Sequence, residues 1–263
     1  MRNYSRFKSI TFENKNGVGT VTLNRPDHMN AFTHEMHVEF EDMMIEIGED
    51  KKVSAVVLTG AGKAFCAGGD LSDMKKPETR NAARVMDGSR RLPYAILSVK
   101  QPIICAVNGH AVGIGATIAL FSDVVYMADT AKIGDPHVKV GLVAGDGGAV
   151  IWPLLININR AKELLLTGDL VNAAEAYRIG LANKVLPAEQ VLPAATELAE
   201  KLARGPALAI QWTKLSINRM LRQTTEAVLD ASLALEGITI VSRDHAEGIA
   251  SFLEKRTPQF EGR

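Results

Sequence analysis

The feature that most constrains this chain is an alternation of short β-branched runs with segments of helical periodicity. Four runs have the length and composition of strands, at residues 19–23, 54–59, 102–107 and 123–128. Between the first two runs, after Thr33 as a predicted N-cap and Glu35 in the first turn, apolar residues recur at helical spacing: Met36, Phe40, Met43, Met44 and Ile47. Strands that alternate with amphipathic helices predict an α/β fold with helices packed on a sheet.

The C-terminal quarter of the chain is predicted to be helical. Strand signals end near Pro193, and the helical pattern continues to Arg256, with Ser242 as an N-cap. In the last predicted helix, one apolar stripe consists of Ile249, Phe252 and Leu253. Apolar stripes on more than one face need another surface to cover them. We therefore expect the tail to dock on its own core or on a second subunit of a homo-oligomer.

Charge and hydropathy exclude several classes of protein. The 263 residues include 30 Lys+Arg and 30 Asp+Glu, so the chain lacks the positive charge that favours nucleic acid. No apolar stretch reaches the roughly 18–20 residues of a membrane span, and the N-terminus lacks the apolar middle of a signal peptide. We therefore expect a cytoplasmic protein without nucleic-acid or membrane partners. Cys66 and Cys105 lie far apart among small or apolar residues, which indicates packing rather than a disulfide or a zinc site.

Glycine is concentrated in three stretches, at residues 62–71, 108–120 and 134–148. None contains a Walker motif or a GxGxxG fingerprint, which excludes nucleotide binding by those routes. The second stretch leads from a predicted strand into a helix, whose first N–H groups have no partner within the helix. If the Ile114 N–H and a donor near Gly69 converge, they form an oxyanion hole, in which each donor contributes roughly 3 kcal/mol. The alternative is that these glycines only permit tight turns.

The histidines offer one candidate acid–base group. His137 lies two residues after Asp135, and Asp146 lies in the next loop, where its carboxylate could orient and stabilise an imidazole acting as general base. The alternative is that both side chains only bond to the backbone. His34 and His37 are three residues apart on the first helix, but with no third metal ligand in view we expect a solvated helix face. No GxSxG elbow is present for a serine hydrolase.

The order and separation of the three glycine-rich stretches resemble the crotonase superfamily, that is, the enoyl-CoA hydratase/isomerase family. The similarity extends from residues 21–32, through the segment ending at Pro187, to residues 252–260. It implies a crotonase-type β-β-α spiral core with the acyl-CoA site in residues 1–200 and a helical trimerisation region in residues 201–263. The implied assembly is a homotrimer or a hexamer built from two trimers. Coenzyme A is part of the acyl-CoA substrate, and no separate cofactor or metal is implied.

The resemblance also assigns roles to individual residues. The main-chain amides of Gly69 and Ile114 would hold the thioester oxygen, and these two residues form the predicted catalytic set with His137 and Asp146. The predicted substrate-binding residues are Arg25, Ala31, Ala64, Ala67, Gly69, Asp70, Leu71, Gly113 and Thr117, with Lys255 and Phe260 lent by a neighbouring subunit. Coenzyme A itself is expected to pass near the arginine and the three alanines.

One departure separates this chain from the hydratases of the family. Hydratases place one glutamate in the helix after the oxyanion turn and another in the segment that here reads GDPHVKVG, and these positions hold Thr117 and His137. A threonine hydroxyl is neither an acid nor a base near neutral pH. The segment with His137 and Asp146 is similar to the 6-oxocamphor hydrolase branch, which cleaves a carbon–carbon bond in cyclic β-diketones. A further histidine of that branch has no counterpart here, and Gly115 stands near its place.

Three functions remain open from the sequence. The first is an acyl-CoA lyase or isomerase that stabilises an enolate and lacks the usual two glutamates. The second is hydrolysis of a carbon–carbon bond in a β-diketone by His137 and Asp146. The third is an acyl-CoA-binding protein without catalysis. The intact stretch FCAGGDL at residues 65–71 favours a thioester as the ligand.

Overall fold

The computed structural model describes residues 4–76 and 81–263, apart from the side chains of residues 83–87. Its strands are β1 (Ile10–Lys15), β2 (Val18–Leu23), β3 (Ala55–Gly60), β4 (Ile103–Val107), β5 (Ala111–Val112), β6 (Val124–Ala128), β7 (Lys132–Gly134), β8 (Val171–Asn172) and β9 (Lys184–Leu186). Its helices are α1 (His34–Glu49), α2 (Leu71–Met74), α3 (Ala82–Ser98), α4 (Ile114–Phe121), α5 (Gly148–Leu155), α6 (Ile158–Thr167), α7 (Ala173–Ile179), α8 (Ala188–Ala203), α9 (Ala207–Thr239) and α10 (Arg243–Glu254). None of these helices combines the length and apolar character needed to cross a membrane.

The larger sheet has the strand order β1-β2-β3-β4-β6-β9, in which β1 and β2 are antiparallel and each later pair is parallel. Every residue of β3 and β4 is buried, as expected for central parallel strands that are covered on both faces. The four predicted strands are confirmed as β2, β3, β4 and β6, each within one residue at either end. The exposed strand β1 was not predicted from the sequence. The strands β5, β7, β8 and β9 were not predicted either, because their two or three residues carry no usable periodicity.

Helix α1 forms where the apolar spacing predicts it. The Thr33 hydroxyl accepts a hydrogen bond from the Met36 N–H at 3.3 Å and caps the helix, as predicted. Helix α1 packs on α3 and β1 and buries its whole predicted apolar face in the core. This face consists of Met36, Phe40, Met43, Met44 and Ile47. Just before α1, the Phe32 N–H donates to the Gly68 carbonyl at 2.8 Å, which places the first turn of α1 close to the loop that follows β3.

Helices α8, α9 and α10 form the predicted helical tail. The Ser242 hydroxyl accepts from the His245 N–H at 3.0 Å and caps α10, as predicted. Helix α9 packs on α3 and α5, so part of the tail covers the core of its own chain. Several large apolar side chains of α9 remain exposed, among them Trp212 and Met220 at 62% and 71%.

The predicted apolar stripe of α10 is only partly covered within the described chain. Ile249 is buried, but Phe252 and Leu253 keep 64% and 45% of their surface exposed. The helix contacts the core through Gly248, where an added Cβ atom would lie 2.6 Å from the carbonyl carbon of Val140. A glycine therefore sets the contact face, and hydrophobic periodicity does not detect a contact made by a glycine.

The loops that follow β3 and β4 meet because these strands are parallel neighbours whose carboxyl ends lie at one edge of the sheet. The Cys66 N–H donates to the His110 carbonyl at 3.0 Å, and the Val112 N–H donates to the Cys66 carbonyl at 2.9 Å. Helix α4 starts so close to this pair that a Cβ atom at Gly115 would lie 2.7 Å from the Cys66 Cβ. Glycine is needed at 115 for this close approach.

Strand β7 brings the third glycine-rich stretch to the same place. β7 pairs with β5, and the Gly113 N–H donates to the Gly134 carbonyl at 2.9 Å. The 3-10 turn His137–Val140 therefore follows directly beside the start of α4. The next loop contacts α9, since a Cβ atom at Gly145 would lie 2.6 Å from the Ser232 carbonyl oxygen. All three glycine-rich stretches thus border one region of the molecule.

We predict that Gly115→Ala lowers the free energy of unfolding by about 1–3 kcal/mol, because the new methyl group overlaps the Cys66 loop. Urea denaturation measures the change. Gly88→Ala in α3 is the matched control, since a Cβ atom there meets nothing within 4 Å and alanine favours the helix. Unfolding of both variants at the urea concentration of the wild type would contradict the tight contact at 115.

Candidate active site

A cavity of about 340 Å³ lies where the three glycine-rich stretches meet. Residues of the two strand-end loops form one part of its wall, including Gly69, Gly113 and Ile114. The 3-10 turn and the loop after it contribute His137 and Asp146. The four predicted catalytic residues, Gly69, Ile114, His137 and Asp146, therefore face one cavity, which is the arrangement that acid–base chemistry beside an oxyanion hole requires.

Two main-chain N–H groups in this wall have no acceptor among residues 4–76 and 81–263. Ile114 is the first residue of α4, so its N–H has no partner within the helix. Phe32 forms hydrogen bonds with the residues on both sides of Gly69. Its N–H donates to the Gly68 carbonyl, and its carbonyl accepts from the Asp70 N–H, so the Gly69 N–H takes no part in this pairing. Both free donors can bind a substrate oxygen that gains negative charge.

The two donor loops are in direct contact. A Cβ atom at Gly113 would lie 3.7 Å from the Gly68 Cα and 3.7 Å from the His137 Cε1. Gly113 also has a φ of +54°, in the left-handed region that residues with side chains avoid. Glycine at 113 thus lets the backbone turn into α4 and leaves room for the imidazole beside the predicted donors.

His137 is held between two carboxylates. Its Nδ1 hydrogen bonds to Asp135 Oδ1, and its Nε2 lies 3.6 Å from Asp146 Oδ2. Asp135 and Asp146 are both buried. The sequence analysis pairs His137 with Asp146 alone and does not assign Asp135 a role. The signal for Asp135 was its position two residues before the histidine, in an irregular segment where side chains so spaced can meet.

The charges around His137 determine its protonation. Burial alone would lower the pKa of His137, but the carboxylates of Asp135 and Asp146 outweigh it and raise this pKa well above 6.5. The ring is therefore an imidazolium at neutral pH. Burial raises the pKa of Asp146 to about 6, against the opposing effect of the His137 charge. At neutral pH the cavity wall therefore presents a proton donor, the His137 imidazolium, beside a proton acceptor, the Asp146 carboxylate.

Glu236 of α9 is a further acidic group in the cavity wall, and the sequence analysis misses it. Its side chain is buried beside the Asp146 loop, since a Cβ atom at Gly145 would lie 2.6 Å from its Oε2. Burial, together with the Asp146 charge, raises the pKa of Glu236 to about 8. Nothing in the local sequence marks Glu236, because α9 reaches the cavity only through tertiary packing.

The expectation of a solvated face for His34 and His37 is wrong. Both side chains line the cavity, on the side formed by α1 and α2. The His37 ring packs edge-on against Phe32, with 5.2 Å between ring centroids. Burial lowers the pKa of His37 to about 4, so this imidazole is neutral at physiological pH. Helix α2 covers this face of α1. The His34 N–H donates to Asp73 Oδ2 at 3.4 Å.

Of the predicted substrate-binding residues, the structure places Ala67, Gly69, Leu71 and Gly113 in the cavity wall. The others do not line this cavity in the described single chain: Arg25, Ala31, Ala64, Asp70, Thr117, Lys255 and Phe260. The Arg25 guanidinium bonds to the Ala31 carbonyl and pairs with Asp70 Oδ2 at 3.1 Å, so it links the segment after β2 to the loop after β3.

Thr117 lies behind the cavity wall. Its side chain is fully buried in α4, and a Cβ atom at Gly147 would lie 2.7 Å from its Cγ2. Lys255 and Phe260, in contrast, are exposed at and beyond the end of α10. The hydroxyl of Thr117 therefore does not contribute to the cavity surface.

One cluster has the spacing of a metal site. Ligand atoms of Asp135, His137 and Asp146 all lie within 4.8 Å of one another, which suits a divalent cation in geometry. The sequence predicts no metal at this place. A cation bound through Nε2 would compete with the proton that the two carboxylates stabilise on His137.

The chain is similar over nearly its full length to characterised proteins. The profile of the enoyl-CoA hydratase/isomerase family matches residues 13–263. The 1,2-epoxyphenylacetyl-CoA isomerase of Escherichia coli is 36% identical over 251 residues, which cover 94% of this chain and 96% of the isomerase.

Two solved structures represent the two types of enzyme to which the sequence is similar. An enoyl-CoA hydratase/isomerase from Mycobacterium paratuberculosis superposes with a TM-score of 0.88 at 35% identity, over 92% of this chain and 98% of that chain. A β-diketone hydrolase from the cyanobacterium Anabaena, bound to (S)-3-oxocyclohexyl acetic acid, has a TM-score of 0.83 at 28% identity, over 90% and 96% of the two chains.

We predict that the His137 ring stays protonated at pH 7 and that Asp135→Asn lowers its pKa, because the variant removes the charge bonded to Nδ1. Ring nitrogen chemical shifts measured by NMR during a pH titration report this value. Asp129→Asn, at an exposed carboxylate outside the cavity, is the control. A His137 pKa that is equal in the wild type and in the Asp135 variant would refute the role given to Asp135.

Proposed function

Because the chain belongs to the enoyl-CoA hydratase/isomerase family, we propose that it acts on an acyl-CoA thioester through an enolate bound by the Gly69 and Ile114 amides. The observation that carries this proposal is the position of two N–H groups without an acceptor in the described structure, on the wall of the cavity that His137 enters. Main-chain donors need no reorganisation when charge develops on the thioester oxygen, and each contributes roughly 3 kcal/mol.

The proton transfers follow from the charges of the His137 pair. In a hydration, the Asp146 carboxylate takes a proton from water as the oxygen bonds to the β-carbon, and electrons move to the thioester oxygen as an enolate. The His137 imidazolium then gives its Nε2 proton to the α-carbon. Asp146 returns the proton to Nε2 across the 3.6 Å gap, which restores the starting state. Asp135 holds the ring through Nδ1 during both transfers.

This assignment replaces the two glutamates of the family's hydratases with a histidine and an aspartate. Thr117 supports the replacement, since its hydroxyl has no acid–base function at neutral pH and is buried away from the cavity. The reaction could also be an isomerisation, in which the same pair removes and returns a proton of the acyl chain. Both reactions pass through the same stabilised enolate.

A second candidate function is hydrolysis of a carbon–carbon bond in a β-diketone. The similar β-diketone hydrolase favours it. Here water would add to one carbonyl carbon, the bond from that carbon to the central carbon would break, and the central carbon would receive a proton. Titration calorimetry with acetyl-CoA and crotonyl-CoA separates the candidates, because failure of both thioesters to bind would favour the hydrolase.

We predict that His137→Ala reduces kcat by about 100- to 10,000-fold, the usual contribution of a general acid or base. Affinity for a CoA thioester should stay within about tenfold of the wild type, because the oxyanion donors are unchanged. Steady-state kinetics with crotonyl-CoA and a panel of longer enoyl-CoA thioesters measure kcat, and titration calorimetry measures affinity. Asp146→Asn should lower kcat in the same way.

Tyr177→Ala is the control for these variants, since this side chain is 59% exposed and lies outside the cavity. Full activity of the His137 variant would remove His137 from the mechanism. Tight binding without turnover of any thioester or diketone by the wild type would support an acyl-CoA-binding protein instead.

We also propose that the chain assembles as a trimer, with or without pairing of trimers into a hexamer. The exposed apolar side chains along α9 supply a surface for it, among them Leu208, Trp212 and Met220. Light scattering on the purified protein should give three or six times the 28.4 kDa of the chain. Trp212→Glu should shift the mass downward, and a monomeric wild type would contradict the assembly.

A further inference from the structure

The His37 side chain is a polar group in the wall of the cavity, away from His137 and Asp146. Two contacts show where it lies. The Phe32 backbone is bonded to the Gly68 carbonyl at 2.8 Å and to the Asp70 N–H at 2.9 Å, so Phe32 flanks the Gly69 donor. The His37 ring packs against the Phe32 ring. His137, in contrast, lies beside Gly113. The two imidazoles therefore border different sides of the oxyanion donors.

The His37 imidazole has unused hydrogen-bonding capacity. Among residues 4–76 and 81–263, no group donates to or accepts from either nitrogen of its ring. Its Nδ1 is fully buried, and the ring itself lines the cavity. A buried polar group without a partner is costly, and native proteins rarely retain one for packing alone. The Nε2, unlike the Nδ1, is not a fully buried atom, so a ligand in the cavity can bond to it.

The surroundings of His37 limit the kind of ligand group. Its ring is neutral, because burial lowers its pKa to about 4. Asp73 also lines this side of the cavity and would repel an anion. The nearby ammonium of Lys76 is bonded to Asp73 at 2.7 Å, and Lys139, which also lines the cavity, is bonded to Asp169 at 2.9 Å. A neutral oxygen therefore fits this place better than a carboxylate.

We propose that His37 determines substrate specificity by hydrogen bonding to a hydroxyl or ketone oxygen on the acyl group. The proposal rests on the acyl-CoA function given above and names its substrate class: thioesters whose acyl chain carries a neutral oxygen substituent in addition to the thioester carbonyl. Neighbouring apolar side chains, Leu71 and Met74, would contact the hydrocarbon part of the same chain.

Calorimetric binding of saturated thioesters tests this proposal without requiring turnover. The probes are hexanoyl-CoA and its derivatives with a hydroxyl or a ketone at carbon four, five or six. We expect the wild type to bind at least one of the derivatives about tenfold more tightly than hexanoyl-CoA, which corresponds to one well-placed hydrogen bond. His37→Leu should abolish that preference, and His37→Gln, which keeps a donor, should retain most of it.

Val38→Leu is the matched control, since its side chain lies next in α1 and is 46% exposed. Binding of hexanoyl-CoA and every derivative with equal affinity by the wild type would overturn the role of His37 but leave the acyl-CoA function intact. Retention of the preference in His37→Leu would overturn it as well. If no thioester binds at all, the acyl-CoA function itself fails, and this proposal fails with it.

Discussion

The contact between the loops that follow β3 and β4 is the constraint on which the rest of the site depends. Parallel pairing places the two strand ends at one edge of the sheet, and the hydrogen bonds of Cys66 to His110 and Val112 hold the loops together. This contact brings Gly69 and Ile114 to the wall of one cavity. Without it the two residues would lie on separate loops with nothing to bring them together, as a shared oxyanion site requires.

The second element of the site is a charge cluster placed against those donors. Pairing of β5 with β7 brings His137 beside Gly113, and contact of Gly145 with α9 brings Glu236 to the Asp146 loop. Buried carboxylates on both sides of one imidazole keep the ring protonated, and burial makes Asp146 a weaker acid than usual. The family's hydratases use two glutamates, and the matching positions of this chain hold Thr117 and His137.

Sequence reasoning was successful where the signal is local. Buried β-branched runs identified the central strands, the apolar spacing after Thr33 identified α1, and the glycine-rich stretches identified the loops of the site. Asp135 was visible in the sequence but not interpretable, because its bond to His137 depends on the turn that joins them. Glu236 gave no signal, since it enters the cavity through the packing of a helix whose pattern is that of an ordinary amphipathic segment. His37 was visible beside His34 but was interpreted as part of a solvated helix face.

A crystal structure of the protein with a non-hydrolysable acyl-CoA analogue tests the central claim most directly. We expect the carbonyl oxygen equivalent to that of the thioester to accept hydrogen bonds from both the Gly69 and the Ile114 N–H groups. We also expect the His137 Nε2 to face the α-carbon within contact distance. An analogue bound with this oxygen away from either amide, or with the imidazole separated from the acyl group by the protein wall, would contradict the account.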